Sequence, residues 1–505
     1  MTQPPLIRAL LDPAASPLPG RPLELMETHA SWVVLAGERA YKIKKPITLP
    51  FLDYGTLEKR RAACEAELAY NRRFAPELYL GVVALTGTPE APQCNGSGEI
   101  VDYAVEMLRF DEATRLDHIA ARNELSTEHM SLLAAEIVDF HNRAAIAPAD
   151  SRFGTPEVAA APALANFVEL RVLLPDEATR LAELEDWAKR EAKHRRAIMT
   201  ARKQHGRGRE CHGDLHLGNL ILRGGRVVPF DCIEFNEDFR WIDVASELAF
   251  TLVDLLDHRK PNLACWLVNE WLTIGGDFDA LRVLRFYAAY RALVRAKVSA
   301  IRAGQEDGAA AAGRDRATAS VYLDLAQRLC EPQTPTLTIT YGVSGSGKSH
   351  AAQAMLLADP HAGTLRLRSD VERKRLFGLN AQQSSGSPLD GGIYTREAHA
   401  ATYRRLEELA QLALHEGWSV IVDAAFLRRT ERNAFRRLAA NNDVPFAILA
   451  CEAPVDELRR RIEARRGDAS EATLAVLENQ LKWIEPLAGD ERECVVTTAP
   501  CPGAP

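Results

Sequence analysis

Two short runs in this chain combine residue types suited to phosphoryl chemistry. Residues 342–349 read Gly342-Val343-Ser344-Gly345-Ser346-Gly347-Lys348-Ser349, the full G-x-x-x-x-G-K-[ST] pattern. In such a loop the backbone of Gly342, Ser344, Gly345, Ser346 and Gly347 turns N–H groups inward around phosphate oxygens. Lys348 brings positive charge to the β- and γ-phosphates, and Ser349 can ligate Mg²⁺. Residues 212–219 form the second run, His212-Gly213-Asp214-Leu215-His216-Leu217-Gly218-Asn219. An H-x-D-x-x-x-x-N loop sets an Asp to accept the proton of a substrate hydroxyl and lets its Asn reach a Mg²⁺ on the nucleotide.

Each run has companions of the right chemistry. Downstream of the P-loop, an apolar stretch closes on Asp423, an acid placed to hold the Mg²⁺ shell. Asp370 follows Arg366-Leu367-Arg368-Ser369. It is either a helix cap or a base for an attacking hydroxyl, with a nearby Arg to hold an anionic substrate. The arginines 459–461 and 465–466 read as a solvated helix face or as a lid bringing an Arg onto the transferring phosphate. Arg461 and Arg465 are the candidates for that lid. Around the second run, Asp231 ends a short apolar stretch and suits a second metal ligand. Lys42 lies in Ala40-Tyr41-Lys42-Ile43-Lys44, where it can pair with α/β-phosphates and a helix carboxylate, Glu67 before Glu65.

The elements that must position these groups are legible from periodicity. Residues 32–35 and 40–43 alternate around a turn at 36–39 and predict a strand pair. Residues 57–74 carry small or apolar residues at helical spacing. Residues 101–107 predict another strand, 219–235 a strand-rich island, and 241–301 mainly helix. Asp243 is read as a brace for the catalytic loop, and Arg291 and Arg295 share one helix face. The stretch 303–316 is a helical spacer or a loose linker. Pro332 and Pro335 mark a boundary, because two prolines discourage a continuous helix. Strands at 336–341, 364–367, 418–422 and 446–450 then alternate with helices, which predicts a parallel sheet covered by helices.

Composition narrows the class. The chain has 505 residues, 47% hydrophobic and 26% charged, which suits a multidomain globular protein. A net charge of -7 argues against a general nucleic-acid binder. No apolar run is long enough for a transmembrane helix, and the first residues lack the basic and apolar segments of a secretory signal. Nine scattered cysteines without a C-x-x-C pair fit neither a zinc site nor a disulfide framework, and a cytoplasmic setting is expected.

The region 336–490 resembles small P-loop kinases: gluconate-kinase-like, zeta-toxin-like and polynucleotide 5′-kinases. The P-loop, Asp370-x-x-Arg373, Asp423 and the arginine-rich segment carry that resemblance. Residues 25–300 resemble the aminoglycoside phosphotransferase family, a branch of the protein-kinase-like fold, through His212-Gly213-Asp214-Leu215-His216 and Gly218-Asn219. That resemblance implies Asp214 as catalytic base, Asn219 and Asp231 as Mg²⁺ ligands and Lys42 as the phosphate-binding lysine. Two features depart from it. The hairpin of residues 28–42 has one glycine, Gly37, and Asp231 is followed by Cys232-Ile233. As a whole the chain is similar to bacterial bifunctional aminoglycoside phosphotransferase/ATP-binding proteins.

The expectation is therefore a two-domain α/β and α+β protein. Residues 1–330 would form the kinase-like domain and 331–505 the P-loop NTPase domain. Both would use ATP and Mg²⁺ on small-molecule hydroxyl acceptors, without a membrane partner. Nucleic acid is not expected, although a polynucleotide 5′-hydroxyl stays open as acceptor for the C-terminal domain. The rival readings are a single active P-loop module with a substrate-binding or regulatory partner domain, and a nucleotide-dependent switch.

Overall fold

The computed structural model describes residues 3–28, 30–49, 52–305, 308–387, 391–464 and 470–496. The chain clusters into two compact units. One comprises residues 1–258 and 283–330, and the other 259–282 and 331–505.

The first unit is built on a six-stranded sheet in the order Leu23–Glu27, Ser31–Ala36, Arg39–Lys44, Ile100–Leu108, Tyr79–Thr88, Ala91–Cys94. Every neighbouring pair is antiparallel. Alternation along Arg39–Lys44 decides the site. Tyr41 and Ile43 join Val34, Val83 and Ala104 beneath the helix Pro5–Leu11. Ala40 turns to the opposite face, into a core with Val105, Cys64 and Phe74. Period two puts Lys42 and Lys44 on that second face as well.

Against it packs the helix Leu57–Asn71, started by Thr56, whose side chain accepts from Lys59 N. Its buried residues are Arg60, Ala63, Cys64, Glu67 and Asn71, a stripe at helical spacing that carries Glu67 inward. Glu65 lies off the stripe and pairs with Arg61 at the surface. Further along, Leu220–Arg223 and Arg226–Pro229 pair around Gly224-Gly225, both at positive φ as a tight hairpin turn requires. The helix Val244–Asp257 is buried over nearly its whole length.

The second unit holds a five-stranded sheet in the order Thr364–Arg368, Ser419–Asp423, Leu337–Tyr341, Phe446–Ala450, Val495–Val496. All of its pairs are parallel. The first strand in the chain sits centrally, so the crevice at its carboxyl end falls where the strand order reverses.

The segment 259–282, expected within the N-terminal helical stretch, clusters with this second unit. The reason is local. Asn269, on the helix Pro261–Gly275, donates to Thr364 O at 2.9 Å and accepts from Arg366 N at 2.7 Å. One side-chain amide thus satisfies the exposed backbone of the edge strand. The spacer at 303–316 falls largely within helices, its first residues ending the helix Leu281–Gln305 and its last ones opening the helix Ala309–Cys330. No helix is long and apolar enough to cross a membrane among the described residues.

Candidate functional site

In the first unit the lysine strand, the Glu67 helix and residues 211–234 meet. Lys42 Nζ lies 2.9 Å from Glu67 Oε1 and also pairs with Asp231 Oδ1. Burial opposes the lysine's charge, but Asp231 and Glu67 outweigh it and lift its pKa above the ordinary range. Asp231 has φ +61, uncommon for a residue with a side chain. Its N–H donates to the Tyr79 hydroxyl at 3.0 Å, and the next N–H, of Cys232, donates to Asn71 Oδ1 at 2.8 Å.

The loop of residues 212–219 is tied down through the His212 ring and its own main chain. His212 Nε2 donates to Phe230 O at 2.9 Å, and Asp214 N donates to His212 Nδ1 at 3.3 Å. Those partners require the neutral ring protonated on Nε2. Burial lowers the His212 pKa, in agreement with that tautomer.

Asn219 Nδ2 donates to Asp214 O at 3.0 Å and to Asp214 Oδ2 at 3.1 Å. With its nitrogen spent there, the Asn219 oxygen is the atom able to ligate a cation. His216 Nε2 stands 3.5 Å from Asp214 Oδ2. Burial pushes the Asp214 carboxyl up, yet His216, Arg295 and His212 outweigh burial and hold it below the ordinary carboxylate range. The carboxylate is therefore ionised at neutral pH. Oxygen donors from Asn219 and Asp231 suit a hard divalent cation.

The brace of this loop differs from expectation. Asp243 pairs with the buried Arg202 at 2.7 Å and caps the helix Val244–Asp257. One turn further on, Glu247 Oε1 accepts from His212 N at 2.5 Å and Gly213 N at 3.0 Å, while Oε2 accepts from His141 Nε2 at 2.6 Å. Asp243 caps well because it starts the helix, but only a residue a turn later reaches the loop. Cys211 adds a third ligand-type atom, and the three lie within 4.8 Å of one another. Both Glu247 oxygens are already spent on these hydrogen bonds. Arg295 pairs with Asp254 at 3.5 Å, and Asp254 Oδ2 accepts from Leu217 N at 2.8 Å. Arg291 donates to Ser246 O and lies over the Phe250 ring.

At one end of the hairpin formed by residues 31–44, Ser31 pairs with Lys44. Gly37 sits at the opposite end, between Ala36 and Arg39, so it cannot serve as a glycine loop over phosphates.

In the second unit a cavity of about 670 Å³ opens between the P-loop, Asp370, Asp423 and Trp483. Gly342 and Gly345 have φ +145 and +84, and a Cβ on them would come within 2.3 Å of Cys451 O and 2.9 Å of Leu458 O. Gly347 precedes the helix Lys348–Leu357, which has no side-chain cap, so its first N–H groups are not capped by that residue. Lys348 Nζ donates to Val343 O at 2.8 Å, and Ser344 N donates to Gln480 Oε1 at 2.7 Å. Ser346 Oγ and Asp423 Oδ2 are buried without a hydrogen-bond partner. Arg368 Nε stands 3.7 Å from that Asp423 oxygen. A buried carboxylate oxygen in this condition fits a metal shell shared with Ser349, which lines the same cavity.

Asp370 does not cap its helix, Ser369–Leu376. It faces the cavity and accepts from Arg373 NH1 at 3.2 Å. Arg461 pairs with Glu457 at 2.6 Å and reaches Gly345 O at 3.4 Å. Arg459 and Arg460 pair with Asp456 and Glu457. Arg465 lies outside the described residues.

Sequence reasoning missed Glu247, Lys44 and Glu234. The signal for Glu247 was its place in an otherwise apolar helix. Lys44 shares the face of Lys42 by simple alternation.

Residues 57–291 match the phosphotransferase enzyme family and residues 337–487 match an AAA domain family. Uncharacterized proteins of Mycobacterium tuberculosis and Mycobacterium bovis are each 30% identical over 479 residues, covering 93% of this chain and 92% of theirs. Among solved structures, a choline/ethanolamine kinase family protein from Mesorhizobium loti is 16% identical with a TM-score of 0.39, covering 65% of this chain and 93% of that one. The GDP complex of aminoglycoside 2′-phosphotransferase-IIIa is 12% identical with a TM-score of 0.36, covering 61% and 93%. The chain belongs to the family it shares with the mycobacterial proteins, an ATP-dependent phosphotransferase in which an aminoglycoside-phosphotransferase-type module is fused to a P-loop kinase-like module.

Proposed function

We propose that each module carries its own phosphoryl-transfer site, moving the γ-phosphoryl group of ATP to a hydroxyl of a small molecule. The observation that carries the reading is the cavity in the second unit. It joins the P-loop, the unbonded Asp423 oxygen and Asp370 in one space of about 670 Å³, enough for a nucleotide and a small acceptor. In the first unit the reading is supported by the tie from Asn219 to Asp214.

In the N-terminal module Asp214 orients the acceptor hydroxyl and takes its proton as the oxygen attacks the γ-phosphorus and ADP leaves. Lys42 turns from Asp231 toward the phosphates, still oriented by Glu67. In the C-terminal module Asp370 takes the base role, Lys348 and the loop N–H groups hold the β- and γ-phosphates, and Arg461 adds charge from the side. A Mg²⁺ ion bound by Asn219 and Asp231, or by Ser349 and Asp423, supplies positive charge to the phosphate oxygens.

A second reading has its own support. In the first unit Lys42 is already paired with Asp231, and the glycine of its hairpin, Gly37, lies at the end away from Lys44. In that reading only the P-loop module is catalytic. Labelled ATP and a library of hydroxyl compounds, presented to the full chain and to its Asp214→Asn and Lys348→Ala variants, separate the two. Transfer lost in each variant to a different acceptor supports two sites. If no acceptor depends on Asp214, the N-terminal assignment fails.

A further inference from the structure

Two lysines, not one, converge on Glu67. Lys42 takes Oε1 at 2.9 Å and Lys44 pairs with Oε2. Lys44 is 1% exposed and Glu67 0%, so the second lysine does not face the open cleft. Lys44 also pairs with Glu234, and the Tyr54 hydroxyl donates to the same carboxylate. Lys44 Nζ stands 5.1 Å from the Tyr54 ring centroid. Burying this extra ion pair is costly, and packed apolar residues would hold the fold at least as well. A role beyond packing would account for it.

Glu234 lies three residues after Asp231. The main chain between them is pinned throughout. Asp231 N donates to Tyr79 and Cys232 N to Asn71. Ile233 N donates to His212 O at 3.2 Å, and Arg240 NH1 donates to Ile233 O and Glu234 O at 3.1 and 3.2 Å. Two side-chain rungs then join this segment to the lysine strand: Lys42 to Asp231, and Lys44 to Glu234. The first rung competes with a cation for Asp231, because Lys42 occupies its Oδ1. The second involves no atom needed for ligand binding and can stay closed. It also gives Lys44 a partner of its own, so that Lys44 does not replace Lys42 on Asp231.

We infer that Lys44, Glu234 and Tyr54 are positioning residues, a clamp that keeps the 231–234 segment registered on the lysine strand and so holds Asp231 ready for a divalent cation. This rests on the reading of the N-terminal module as a nucleotide site. The clamp touches neither phosphate nor acceptor. It acts through Asp231 and through the choice of partner left to Lys42.

The test uses the full chain carrying Lys348→Ala, which silences the P-loop site. ATP is titrated calorimetrically with Mg²⁺ and again with EDTA, and the ratio of the two dissociation constants gives the gain due to metal. Glu234→Gln is expected to cut that gain by about 10-fold or more, as loss of a residue supporting a metal ligand does, while metal-free binding stays within about twofold. Tyr54→Phe, which removes one hydrogen bond and keeps the ring, is expected to cut it by roughly 2–5-fold in the same direction. A role in folding alone would weaken both titrations in parallel and leave the ratio unchanged. That result, or no change in either, overturns the clamp. If Glu234→Gln does not fold, Tyr54→Phe alone decides by the same ratio. If the parent shows no gain from Mg²⁺, the nucleotide reading of the module fails. A gain in the parent that both variants preserve defeats the clamp only.

Discussion

The two sites hold their lysines in opposite ways. Lys42 is committed to carboxylates, Glu67 and Asp231, and its neighbours are pairs of side chains. Lys348 donates to a main-chain carbonyl of the P-loop, Val343 O. The first arrangement spends its charges on each other before any ligand arrives. The second leaves Asp423 Oδ2, on a residue that lines a formed crevice, without a hydrogen bond. A site built from ion pairs is sensitive to pH and to loss of a single partner. A site built from a glycine loop is sensitive instead to backbone conformation.

The sharpest way to break this contrast is Asp214→Asn. The amide keeps the volume and the bond from Asn219 but cannot take a proton. N-terminal transfer should fall by about 10²–10⁴, with ATP binding and melting temperature nearly unchanged. Paired transfer and melting measurements check it, and a parallel loss of stability would make Asp214 a brace.

Lys348→Ala should lower C-terminal ATP turnover by about 10²–10³, the usual cost of removing one group aimed at developing charge. Turnover is best measured on the full chain with Asp214→Asn as background. Residues 259–282 pack on the P-loop unit, so a fragment beginning near 332 would lack part of it. Wild-type turnover in this variant refutes the P-loop assignment.

Glu247 tests the ion-paired side of the comparison by pH. Burial raises its pKa, but the bond from His141 and the neighbouring charges outweigh that and bring it from the ordinary 4.5 down to about 2. A carboxylate depressed in the folded state stabilises above its unfolded pKa. That stability is lost as pH falls through the folded value. The first unit should therefore lose about 3 kcal/mol between roughly pH 4.5 and 2 through this residue. Denaturant unfolding at pH 5 and pH 3, with Glu247→Gln as reference, measures it. The variant should show a flatter acid limb, and an equally steep one removes Glu247 as the cause.

Gly345→Ala tests the backbone side. At φ +84, with a Cβ 2.9 Å from Leu458 O, alanine should cost about 1–3 kcal/mol and weaken ATP binding at the P-loop without touching the first site. Calorimetry with Asp231→Asn as background reads the P-loop alone, and unchanged affinity there would show that the loop tolerates a side chain. The smallest effect is expected from Arg461→Ala. Its side chain is half-exposed and already paired with Glu457, so C-terminal transfer should drop no more than about 10-fold. A loss comparable to that of Lys348→Ala would promote Arg461 to the main phosphate contact.

The sequence by itself determined what depends on neighbours along the chain. The P-loop and the 212–219 loop are contiguous, so their atoms lie together in any fold that forms them. The stripe Arg60, Ala63, Cys64, Glu67, Asn71 repeats at helical spacing, which is why Glu67 could be preferred to Glu65. The parallel sheet of the second unit followed from alternating strands and helices. Tertiary structure decided the rest, because the deciding contacts join residues far apart in sequence. The strand Tyr79–Thr88 pairs with Ile100–Leu108 through two register shifts, and its irregular pattern concealed it. Asn269 looks like any polar residue on a helix until the backbone of Thr364 and Arg366 is beside it. Glu247 acts on His212 and Gly213, about a third of a hundred residues away. Lys44 and Glu234 are ordinary surface charges in a list of residues. Only the folded sheet buries them together, and burial without water is what turns two charges into an obligatory pair.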